Sequence, residues 1–244
     1  MPVMLRIVLI AALAALAGKA TADDTRPSVR PPDAKTVGGT IAGSVRYTSD
    51  PQHPWRYQRY YVKGGKAGPL AEALVVLRGS ALRNWPAPAQ PQTGKVDQFN
   101  FQFVPELLAI RAGDSVTFTN SDTTIHNVRS TAAIAPFNVN LDAGDEYVHT
   151  FARGGGLRTP VTLGCVYHGG MRAWIYVFDH PFYAVTDESG VFRFENVPAG
   201  RYTLEMVHPA GQLRSSRPVT VSSGMEQTIG IDVSAAQKTL QQGS

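Results

Sequence analysis

Cysteine is almost missing from this chain: Cys165 stands alone among 244 residues, so no disulfide can form within it. A strong charge excess is missing too. The formal net charge is +4, and a leader carrying Arg6 and Lys19 would take it to +2 on removal. That is far from the concentrated basic face of a nucleic-acid binder. No long stretch keeps a helical period, which sets helical bundles aside. The apolar run at 7–17 is too short for a comfortable membrane span. There is no Gly-x-Ser-x-Gly or phosphate-loop pattern, and Asp179 and Asp187 have no partner at a spacing suited to general acid/base work.

What is present begins with a secretory leader. Arg6 precedes the apolar run, and Ala20-Thr21-Ala22 before Asp23 fits a small-residue cleavage site, so residues 1–22 read as a signal peptide and the expected location is periplasmic or secreted. A free thiol is a liability in an oxidising compartment. Coordination to a metal explains both why Cys165 is there and why it has no partner.

The chemistry is concentrated in Gly164-Cys165-Val166-Tyr167-His168-Gly169-Gly170-Met171. A thiolate, an imidazole and a thioether in one tight loop are side chains that a copper ion cycling between Cu(I) and Cu(II) accepts together. A second imidazole is available from His126 in Thr124-Ile125-His126-Asn127-Val128, 39 positions before Cys165. Intervening strands can leave one end of a sandwich and return to it within that length. A trigonal His2Cys plane with a weak axial Met suits both oxidation states, so little moves when an electron arrives. The bland readings are a core Cys165 that binds nothing, and a Met171 that merely opens the apolar run at 173–178.

Upstream, Phe103-Val104-Pro105 leads through Ile110-Arg111-Ala112-Gly113-Asp114-Ser115-Val116-Thr117-Phe118-Thr119-Asn120 into His126-Asn127-Val128. With the cysteine loop, this run resembles the cupredoxins, the blue copper proteins of plastocyanin and amicyanin type, over roughly residues 95 to 180. The short Cys-to-Met spacing looks more like amicyanin. The resemblance implies one type 1 copper ion held by His126, Cys165, His168 and Met171, with Asn127 tying the two ligand loops together by hydrogen bonding. It further implies that His168 sits at the solvent edge as the electron's way in and out, for an unidentified redox partner protein.

Short strands punctuated by Gly, Asn, Asp and Pro indicate an all-β fold. Residues 23–36 read as a flexible spacer, and 49–69 as an aromatic and basic insertion packed on a neighbouring sheet. The stretches 39–47 and 70–79 read as strands, and the Pro-rich connector that follows is neither helix nor central strand. Residues 96–104 read as one strand. After the copper loop, 183–205 reads as two hairpins turning at Asp187-Glu188-Ser189-Gly190 and at Pro198-Ala199-Gly200. This last stretch looks like a carboxypeptidase regulatory-like, or transthyretin-like, β-sandwich. The expected organisation is therefore a cupredoxin Greek-key β-sandwich at 81–180, inserted in a discontinuous second sandwich formed by 37–80 and 181–234, with a disordered tail at 235–244. The order also resembles exported bacterial proteins labelled methylamine utilization proteins, although no residue here points to amine chemistry.

The expected role is single-electron transfer without catalysis, since such a site leaves no open coordination position for a substrate. No nucleic-acid partner is expected, and a membrane only through an uncleaved leader. The alternatives are a copper carrier or storage protein without redox turnover, and a structural β-sandwich interaction module. His53, His149, His180 and His208 lie scattered without ligand spacing and are assigned to no metal.

Overall fold

The computed structural model describes residues 37–48 and 67–234. The expected leader, spacer and tail, and residues 49–66 of the insertion, lie outside the described residues. Among those described there are seventeen strands and one short 3-10 turn, Ser80–Leu82, so the fold is all-β.

In chain order the strands are β1 Gly39–Tyr47, β2 Gly68–Pro69, β3 Leu74–Arg78, β4 Thr93–Phe99, β5 Gln102–Val104, β6 Leu107–Arg111, β7 Ser115–Asn120, β8 His126–Ser130, β9 Phe137–Leu141, β10 Glu146–Thr150, β11 Val161–Gly164, β12 Arg172–Phe178, β13 Tyr183–Val185, β14 Val191–Val197, β15 Gly200–His208, β16 Leu213–Val221 and β17 Glu226–Val233. They form four sheets. The order β10-β7-β4-β5 faces β6-β12-β11-β8-β9, and both are built from the middle of the chain. The order β14-β1-β17, with β2 beside β1, faces β13-β3-β15-β16, and these join the two ends of the described chain.

Period-two patterning produces each core. Along β7, Val116, Phe118 and Asn120 turn inward while the residues between them are only half-buried. Val116 and Phe118 join Val96, Val128, Phe151, Leu163, Cys165, Met171 and Ile175 in one cluster drawn wholly from the middle segment. A second cluster holds Ile41 and Val45 of β1, Val75 and Leu77 of β3, and Phe192, Tyr202, Leu204 and Ile231, all from the terminal segments. A smaller third cluster joins the two: Leu74, Val76 and Val207 pack on Leu107, Tyr176 and Phe178.

Several sequence expectations need correction. The stretch 96–104 is a hairpin, because Asn100 and Phe101 both take left-handed φ values, 51° and 57°, and reverse the chain between β4 and β5. The strand expected from residue 70 begins at Leu74, since Glu72 is left-handed at φ 53° and breaks the extended run. The two turns at 187–190 and 198–200 are not hairpin turns. The first is closed by the Gly190 N–H to the Asp187 carbonyl, yet β13 pairs with β3 while β14 pairs with β1, and β15 returns to β3. The chain crosses between facing sheets at both corners, so that each strand's apolar side reaches the same core. The hairpin in this region is β15–β16, turned at 209–212.

Candidate metal centre

Sheet register brings the centre together. Gly164 at the end of β11 stands opposite Arg172 of β12 on one side and Arg129 of β8 on the other. Residues 165–171 therefore bridge two antiparallel neighbours as a tight loop, beside the start of β8 where His126 lies. The loop is closed by the Met171 N–H to the His168 carbonyl at 3.0 Å.

The result is a compact donor set. One ligand atom each from His126, Cys165 and His168 lie within 4.8 Å of one another. The two Nδ1 atoms are 3.0 Å apart, and the Cys165 Sγ is 3.6 Å from the His168 Nδ1. His126 and Cys165 are buried and His168 is half-buried at the rim. Met171 is also buried, in the same core cluster as Cys165.

Asp122 fixes the tautomer and orientation of the His126 ring. Its Oδ2 lies 2.7 Å from the His126 Nε2, and a carboxylate only accepts, so the ring proton sits on Nε2 and the Nδ1 lone pair faces the other donors. Burial works against the Asp122 charge, but N–H bonds from Phe101 and Asn100 and the bond from His126 outweigh it and hold the carboxyl below its usual range. Nδ1 lone pairs and a sulfur aimed at one point repel unless a proton or cation lies among them. A soft or borderline cation fits that demand, and the donor types are those of copper.

Surrounding residues make the arrangement rigid. The Asn127 backbone N–H donates to the Cys165 Sγ at 3.3 Å. Its side chain does not reach toward the ligand loops as a tie: its Nδ2 donates to the Asn138 and Asn140 Oδ1 atoms and the Val139 carbonyl, fastening β8 to β9. Asn127 thus links the ligand loops through its main chain. Asn120, buried, donates through Nδ2 to the Thr124 and Leu141 carbonyls and so fixes the 121–125 loop. Phe101 lies edge-on to both imidazoles, its centroid 5.4 Å from His126 and 4.9 Å from His168.

Asp122, Asn120 and Phe101 were not legible as site residues in the sequence. A carboxylate four positions before the ligand histidine was the available signal for Asp122. For Phe101 none exists short of knowing the hairpin. The remaining described histidines have structural roles. The His149 Nδ1 bonds the Tyr147 hydroxyl, His180 accepts from the Phe182 N–H, and the His208 Nδ1 accepts from the Gly211 N–H. Burial pushes the last two down to about 4. His53 lies outside the described residues.

Residues 92–179 match the family model for copper binding proteins of the plastocyanin/azurin family. This stretch is similar to the copper-binding domains of that family. The match covers about a third of the chain and does not extend to the sheets made from its two ends. Among solved structures, a reduced amicyanin variant is 23% identical and covers 35% of this chain and 82% of its own, with a TM-score of 0.31. A purple cupredoxin from Nitrosopumilus maritimus is 23% identical over 35% of this chain and 99% of its own, with a TM-score of 0.30. A copper-containing nitrite reductase from Thermus scotoductus SA-01 is 23% identical over 41% of this chain but only 27% of its own, with a TM-score of 0.34. At those scores the overlaps add no weight beyond the family match and the donor geometry. No curated protein matches the chain.

Proposed function

We propose that this chain is a periplasmic type 1 copper protein that passes single electrons between redox partners, and that His126, Cys165, His168 and Met171 would hold the metal. The observation that carries this reading is the convergence of the two Nδ1 atoms and one thiol sulfur within 4.8 Å, with Asp122 aiming the buried imidazole inward. Copper bound there would supply a one-electron couple. The protein's own part is to keep the donors from moving between oxidation states, through the Asn127 N–H on sulfur, the Asp122 carboxylate on His126 and the strands beneath.

His168, half-buried and covered edge-on by Phe101, is the ligand nearest solvent and the proposed route for the electron. Around it the loops present exposed Phe101, Ile125, Val166 and Tyr167, an apolar rim on which a redox partner can exclude water. Held by four protein donors, the metal would have no open position for substrate, which favours carriage over catalysis. The second pair of sheets is read as a separate regulatory-like sandwich that carries the copper domain as an insertion.

The deciding experiment is the visible and paramagnetic spectrum of Cu(II)-loaded protein. An intense blue Cu–thiolate charge-transfer band is expected, and Cys165→Ser should abolish it. A colourless copper form would overturn the reading. A Cu(I) form that yields its ion to a chelator faster than it exchanges electrons would favour the carrier alternative.

A further inference from the structure

At the copper end of the five-stranded sheet, Arg129 of β8 and Arg172 of β12 stand in one row with Gly164 of β11 between them. Residues directly opposite across a ladder point to the same face, and here it is the solvent face, since both arginines are exposed. Thr131 and Thr162, two residues along their own chains from Arg129 and Gly164, are exposed on that face as well. Gly164 leaves the middle of the row open: a Cβ placed there would meet nothing within 4 Å. The outcome is a notch of about 240 Å³ lined by Arg129, Thr131, Thr162, Gly164, Cys165 and Arg172 among others, with no acidic side chain in its wall.

Neither guanidinium has a carboxylate or hydrogen-bond partner among the described residues. Neighbouring strands lie about 4.8 Å apart, which places the two arginine Cα atoms on the order of 10 Å from each other. Two planar forks can close on one anion from opposite sides across that span. Without an anion the row carries two like charges facing a shared gap whose wall holds no counter-charge. A glycine between them gives up strand packing and leaves the space for an ion.

We propose that this notch is a binding site for a free small oxyanion of the phosphate, sulfate or carboxylate type, gripped by Arg129 and Arg172 and hydrogen-bonded by Thr131 and Thr162. Cys165 forms part of its wall, and since its side chain turns to the core on the other face of the strand, the anion's charge lies across that strand from the donor set. Where the copper reading above holds, that charge favours the more highly charged Cu(II) state and lowers the midpoint potential, making the site a regulator of the electron carrier.

Binding is tested first on copper-free full-length chain, so that its outcome does not depend on the copper reading. Inorganic phosphate is titrated calorimetrically at fixed ionic strength, with chloride as the control. One saturable site is expected, weakened at least tenfold by Arg129→Gln or Arg172→Gln. Gly164→Val keeps both charges but fills the notch, and it should abolish binding; circular dichroism and melting establish that each variant is folded. Phosphate behaving like chloride, or binding to Gly164→Val as to wild type, would overturn the site. The midpoint potential of the copper form is then measured with and without phosphate. A fall in wild type that is absent in Arg129→Gln supports the regulatory role, and an unmoved potential with intact binding overturns that role alone.

Discussion

The Asp122 carboxylate and the His126 imidazole are joined by a 2.7 Å bond, and the same carboxylate accepts the backbone N–H groups of Asn100 and Phe101 at 2.8 and 3.0 Å. One side chain thus orients a copper-facing ring and holds the β4–β5 turn against the site. Asp122→Asn keeps the shape but has a single acceptor oxygen, so at least one of these bonds is lost. If its amide donates to Nε2, the ring proton moves to Nδ1, where it blocks metal binding. Copper affinity measured by chelator competition should fall about 10- to 100-fold, with little change in secondary structure. Unaltered affinity would show that ring orientation is set elsewhere.

Phe101 is half exposed and left-handed at φ 57°, so it stays where it is at some conformational cost and makes few core contacts. Its edge-on contacts to His126 and His168 account for that placement. Phe101→Ala should leave the melting temperature almost unchanged, as expected for a surface position. Copper loss to a chelator should become several-fold faster because water reaches the imidazoles. A loss rate equal to that of wild type would remove Phe101 from the site.

The ligands were legible because they sit in short stretches whose side-chain types are rare together: one cysteine, with His168 and Met171 close behind it. Asp122 and Phe101 were not, since each acts on a residue that only folding brings near, and carboxylates and aromatics are common in any strand-rich chain. Asn127 was legible as a tie between the two ligand loops but not in the manner of its action, which is through the main chain. The all-β class followed from alternation and turn residues. Strand partners did not, as the corners at 187–190 and 198–200 illustrate: a turn marks where the chain reverses, while the partner is set by which sheet offers an open edge on the same core.

Gly43 of β1 runs against β17 so closely that a Cβ would lie 2.1 Å from the Ile229 carbonyl oxygen and 2.6 Å from the Phe192 ring. The carbonyl cannot retreat without loosening the parallel pairing of β1 with β17. Gly43→Ala should destabilise the terminal-segment sandwich by about 1–3 kcal/mol or more. If the two sandwiches are separate units, calorimetry will record an early transition while the copper-loaded centre keeps its blue band to the wild-type temperature. Simultaneous loss of both would argue for one cooperative unit joined through Val76, Tyr176 and Phe178.

Stability should also carry the signature of Glu72, which lies in the terminal-segment sandwich and interacts with Glu106 at the edge of the copper domain. Burial, and then the nearby Glu106 charge, push its carboxyl up from 4.5 to about 7, against which the Glu106 backbone N–H works in the opposite direction. Below about pH 4.5 the group is protonated in folded and unfolded chains alike. As pH rises from there to about 7 the unfolded chain gives up its proton and the folded chain retains it, so stability falls across that window and levels off above it. With the partial exposure of the site allowed for, the loss is about 1–2 kcal/mol. Glu72→Gln has no proton to lose and can still accept the Glu106 N–H. Its melting temperature should match wild type at pH 4.5, exceed it increasingly toward pH 7, and run parallel beyond. A constant difference across the whole range would mean that Glu72 is ionised at its ordinary pKa, and that the two acids are kept apart or solvated at the junction.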